Sequence, residues 1–226
     1  MAVTLRFAPA RVALAAMVAA AVCGPALTSA QAGIVPPRGD TASRRSVDAD
    51  LLPANFGSLR REDLSVTVQL QGLTVRATPL DESVIRALAP DSYTSLHVMR
   101  VSRDAEVNRV RARLGLSSVQ VWHVQFFNVQ QGDARFDPRG VQIRSAGRDF
   151  RPLDIVPLVP GFEDGRLAQG RSVDALFLFD PSVSLTQPLV VTMLGQSSAA
   201  WGDALLQVLE RERAAIWSRA AAARKP

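Results

Sequence analysis

The chain has 226 residues, which fits one domain with extensions or two very small domains. With 47% hydrophobic residues it can build a core. The formal charge of +5 and pI of 10.7 do not describe a strong positive field, because every basic residue except Lys225 is arginine and the one tyrosine is Tyr93. Almost nothing then titrates between the carboxylates and guanidinium, and the composition gives no ground for a nucleic-acid partner.

Arg6 and Arg11 precede an uncharged apolar run from Val12 to Val22. That run is too short to span, as a helix, a hydrocarbon layer of about 30 Å. The small residues Thr28, Ser29, Ala30, Gln31 and Ala32 follow it, completing a signal-peptide pattern over 1–32 with cleavage expected after Ala32. The alternative is an N-terminal anchor that stays attached. Loss of Arg6 and Arg11 leaves 24 basic against 21 acidic residues. The only cysteine, Cys23, falls inside the removed segment, so an exported mature chain relies on its core without disulfides. Lipidation at Cys23 is the competing reading, and Val22 argues against it because a small residue belongs there. A periplasmic or secreted protein is expected.

Residues 33–62 carry Pro36, Pro37, Gly39, Pro53 and Gly57 without periodicity and read as a linker. From Ser65 the apolar period becomes two. Val66, Val68 and Leu70, then Leu73, Val75 and Ala77, predict two strands or one strand bent at Gly72. Thr78-Pro79-Leu80-Asp81 then offers a helix start. Val84, Ile85 and Leu88 form its stripe, and Pro90 is read as its end. A second helix is predicted from about Arg103 to Leu114, with Asp104 and Glu106 early, arginines late and Gly115 after it. The stretch SLHVMRV between them is ambiguous. Residues 118–130 predict an inner strand: Val119, Val121 and Phe127 face one way, and Trp122, Val124 and Phe126 the other. Further strands are predicted at 141–144, 150–158, 173–179 and 188–194, with Pro152 and Pro157 placing the second of these at an edge. Residues 196–226 predict a helix capped by Ser197 or Ser198, with Trp201, Leu205, Leu209 and Ile216 near one face.

These elements predict a mainly β fold: an immunoglobulin-like β-sandwich of about seven strands over 63–195, with a helical insertion at about 79–114 and a C-terminal helix. A parallel α/β sheet would need helices between strands after residue 118, where none is predicted. Within 118–195, Phe136 with Pro138, Gly147, Phe179-Asp180-Pro181, and Pro188-Leu189 with Val191 follow one order of turns and strands. In this the chain resembles telokin-like immunoglobulin-fold domains of exported bacterial proteins. The resemblance implies a binding or scaffolding module and brings no catalytic residues with it.

Chemical signatures are sparse. His97 and His123 are the only histidines, and no His-Glu-x-x-His, Cys-x-x-Cys or EF-hand pattern occurs. A soft copper site from His97, Met99, His123 or Met193 would have too few ligands. Gly-x-Ser-x-Gly, Ser-x-x-Lys and Gly-x-Gly-x-x-Gly are absent as well. The local acid pairs, Asp81-Glu82 and Glu163-Asp164, sit at a helix start and a turn. No enzyme, cofactor or metal is expected.

Arg100, Arg103, Arg109, Arg111 and Arg113 form the densest basic cluster. They are the candidate anion-contacting residues, able to meet phosphate groups of envelope lipid. Alternatively they pair with Asp104 and Glu106 along a solvated helix face. The leading expectation is a non-catalytic envelope module that binds a protein or envelope component. Peripheral attachment to anionic membrane or lipopolysaccharide, and hydrolysis of envelope material by scattered carboxylates, are the alternatives.

Overall fold

The computed structural model describes residues 51–224. The expected signal peptide, Cys23 and residues 33–50 lie outside them. The described chain is mainly β, with eleven strands in three antiparallel sheets and a long C-terminal helix. β1 (Val66–Leu70) and β2 (Leu73–Pro79) form a hairpin, with Leu70 opposite Leu73. Gly72 has a φ of 76°, and a β-carbon there would press on the Gln130 side chain. Only glycine meets both conditions cheaply.

Three helices follow where two are predicted: α1 (Glu82–Ile85), α2 (Pro90–Ser102) and α3 (Asp104–Arg113). Pro90 begins α2 and does not end α1. A first-turn position has no intrahelical N–H bond to lose, so proline's missing donor and fixed φ suit it. The ambiguous SLHVMRV stretch is therefore the body of α2, with Tyr93 and Leu96 buried. The α3 start at Asp104 matches the expected second helix.

β3 (Gln120–Asn128) is the middle strand of a five-stranded sheet, flanked by β2 and by β9 (Ser172–Phe179). Between these two come β4 (Ala134–Arg135), β5 (Val141–Ser145), β6 (Arg148–Phe150), β7 (Asp154–Pro157) and β8 (Arg166–Leu167). The last strands are β10 (Leu189–Met193) and β11 (Gln196–Trp201), and α4 (Asp203–Ala223) ends the described chain. The sheet orders are β1-β2-β3-β9-β7, β11-β10-β5-β6 and β4-β8.

Two expectations are corrected here. The segment 150–158 is not one strand: β6 pairs with β5, and β7 pairs with β9 at the edge of the other sheet. Pro152 lies between them, where a residue without an N–H interrupts a ladder. The C-terminal helix does not begin at 196, because residues 196–201 form β11. Its small polar and alanine side chains leave almost no alternating signal before the buried Trp201.

Cross-strand partners Val75, Phe126 and Val173, with Trp122 and Phe177, share one face of the five-stranded sheet. Trp122 meets Trp201 of the four-stranded sheet at 6.1 Å between centroids. Phe126, Phe136, Phe162 and Phe177 extend the same aromatic core. Val121, Leu176 and Leu178 are buried on the opposite face, next to the helical insertion, whose α3 touches β7.

Residues 51–62, expected to be linker, belong to the fold. Leu52 is buried, and Leu59 bridges Leu88 in parallel. Gly57 lies so close to Ala87 and Leu88 that a β-carbon would come within 2.3 Å of a backbone oxygen. The buried Glu212 of α4 accepts hydrogen bonds from the Ser58 amide at 2.8 Å and its hydroxyl at 2.9 Å. Arg219 donates to the same carboxylate at 2.8 Å. Burial alone would raise the Glu212 carboxyl, but these donors outweigh it and hold it below its ordinary value. The C-terminal helix is thus fastened to the segment that leads into β1.

Candidate functional site

A cleft of about 550 Å³ opens between the helical insertion and the end of the five-stranded sheet. The sequence sets its walls in a few steps. The Leu80 amide donates to the Val121 carbonyl at 2.8 Å, fixing the exit of β2 beside the start of β3. Asp81 then caps α1, accepting from the Ser83 amide and hydroxyl. Glu82 therefore begins the helix, and Arg86 stands one turn later at the spacing that favours an ion pair.

Glu82 is the hub. One carboxylate oxygen accepts from Arg86 Nε at 2.6 Å and from the Tyr93 hydroxyl at 3.3 Å. The other faces His97 Nδ1 at 2.6 Å. Burial would raise the Glu82 carboxyl, yet the bonds from Arg86 and His97 prevail and keep it below its ordinary value. Arg86 also donates to the Leu52 carbonyl at 2.8 Å. From α2, Arg100 reaches Asp104 at the start of α3. Burial draws the Arg100 guanidinium below its ordinary value against the pull of Glu82 and Asp81. Leu80, Val101, Val119 and Val121 supply the apolar lining.

The five arginines singled out in the sequence do not converge. Arg100 alone lines the cleft. Arg103 pairs with Glu106 at 3.1 Å, Arg111 donates to the Ser117 carbonyl at 3.1 Å, and Arg113 pairs with Asp154 of β7. Arg109 is exposed and has no partner among the described residues. The pairings with Asp104 and Glu106 along the helices are present.

Sequence reasoning missed Glu82, Arg86, His97 and Asp104 as one constellation. The Glu82-to-Arg86 spacing was a readable signal. The approach of His97, fifteen residues further on, depends on how α1 and α2 pack and leaves no local trace.

The two histidines have separate partners. His123, fully buried on β3, lies 2.8 Å by Nε2 from Asp174, and its Nδ1 faces Arg61. Among the described residues no group of three or more histidine, cysteine or acidic side chains is placed to hold a metal. No helix of the described chain is long and apolar enough to cross a membrane. No family model, curated protein or solved structure matches the chain.

Proposed function

We propose that the chain is an exported, immunoglobulin-like β-sandwich that serves as a non-catalytic binding module of the bacterial cell envelope, with its ligand site in the cleft beside α2. The cleft is the observation that carries this reading. Its volume suits a small ligand or chain end, apolar side chains share its walls with charged ones, and Glu82, Arg86 and Arg100 are held in place by neighbours. The sandwich is supported by the meeting of two antiparallel sheets at Trp122 and Trp201, together with the turn order shared with telokin-like domains. Export rests on the N-terminal pattern from Arg6 to Ala32. Binding is favoured over catalysis because the lining residues include no hydroxyl or thiol nucleophile, and both oxygens of Glu82 already serve Arg86, Tyr93 and His97.

The test is isolation of the mature protein from its native envelope beside Val101→Trp, whose new ring fills the cleft from a position 51% exposed and so spares the core. A chain beginning at Gly33 is expected, with a co-purifying component that the variant loses. Retention of the same component by a correctly folded variant would place the ligand elsewhere.

A further inference from the structure

We infer that the cleft recognises a carboxylate bearing a hydrogen-bond donor on the neighbouring atom and an apolar side chain, as in an α-amino acid, an α-hydroxy acid or the C-terminal residue of a peptide. This rests on the cleft being the ligand site and names the chemistry of what enters it.

His97 and Arg100 both line the cleft and stand one turn apart on α2, with β-carbons about 5–6 Å apart at that spacing. An ionised carboxylate only accepts, so the contact with Glu82 places the imidazole proton on Nδ1. With its proton on Nδ1, the ring offers Nε2 as an acceptor. That atom has no partner among the described residues, and the side chain is 40% exposed. An O–H or N–H of a ligand is its natural complement.

Arg100 supplies the opposite half. Its Nη1 serves Asp104, whereas Nε and Nη2 have no partner among the described residues. The side chain is only 27% exposed, so these donors lie where water competes poorly. A guanidinium edge in that setting matches the two oxygens of a carboxylate.

The acids decide against a simple anion. Asp81, Glu82 and Asp104 outnumber Arg86 and Arg100 in the lining, so an anion without a donor would meet net repulsion. A head group that also donates offsets this. Leu80, Val101, Val119 and Val121 then receive its side chain.

Calorimetric titration of the mature protein tests the head group with five probes. Leucine, 2-hydroxy-4-methylpentanoate and N-acetyl-leucine carry both halves in the three forms named. Leucinamide lacks the carboxylate, and 4-methylpentanoate lacks the donor. At least one of the first three is expected to bind, identifying the free amino acid, the hydroxy acid or the chain end as the source. Both controls should bind at least tenfold more weakly. Arg100→Gln should weaken the bound probe at least tenfold, and His97→Phe should erase the preference over 4-methylpentanoate, each with an unchanged circular-dichroism spectrum. Binding by none of the three, equal binding of leucinamide, or unaltered affinity in Arg100→Gln overturns the inference. The Val101→Trp comparison answers separately: a component lost from that variant, with no probe bound, removes the head-group assignment and leaves the cleft as the site.

Discussion

His123 lies in the middle of a sheet with no exposed surface, faced by Arg61 from the 3-10 turn at Arg61–Leu64 and by Asp174 from β9. Arg76 and Glu62 complete the charged surroundings. A cation donates only, so Arg61 requires a bare Nδ1, and the proton sits on Nε2 toward Asp174. Burial lowers the affinity of this histidine for a second proton, and the Asp174 hydrogen bond does not restore it. The unfolded chain takes up that proton near pH 6.5 while the folded chain still refuses it. Stability is therefore whole above about pH 6.5 and declines as pH falls from there toward the depressed folded value. Glu82 stays ionised across this window, since its own value is lowered. The urea midpoint should fall between pH 7.5 and 5.5, and His123→Gln should flatten that dependence. An identical pH dependence in the variant would refute the assignment. Single residues also show why the site was half legible. Arg100 stands out in a basic run, but its neighbour His97 gains meaning only from Glu82 on another helix.

At the scale of elements, the hairpin joining β10 to β11 carries strain that sequence can relieve. Met193 pairs with Gln196, leaving Leu194 and Gly195 as the turn, with φ of 48° and 79°. Two positive φ values match the twist of a tight hairpin, where asparagine followed by glycine is favoured. Leucine pays about 1–2 kcal/mol for that conformation and is 67% exposed, so it buries little in return. Leu194→Asn should raise stability by about 1 kcal/mol, read as a higher urea midpoint. A lower midpoint would mean that the leucine makes a contact worth more than the strain. β3 was legible because apolar side chains on both faces of a strand admit only an inner position, and β9 pairs along it as that demands. β11 was not, since Ser197, Ser198, Ala199 and Ala200 carry little apolar contrast. The ordered segment before β1 escaped for a different reason. Pro53 and Gly57 suggest loose chain, whereas here glycine allows a close backbone approach.

Across the whole molecule, α4 holds the segment before β1 through Glu212, and that segment in turn contacts the turn after α1, Leu59 at Leu88 and Leu52 at Arg86. The helical insertion packs through α3 against the edge strand β7 of the five-stranded sheet, while the aromatic core fills the face that carries Trp122. The cleft forms where the insertion meets the sheet end, from residues far apart in sequence. The mainly β character followed from period-two patterning, but the cleft had no such signature. Hydrogen exchange of the chain from Gly33 onward, with and without the low-molecular-mass fraction of a bacterial envelope extract, tests the central claim most directly. Protection should rise within residues 80–86, 97–104 and 119–121 and leave α4 unchanged. Protection confined to α4 or to the four-stranded sheet, or no change anywhere, would contradict a ligand site beside α2.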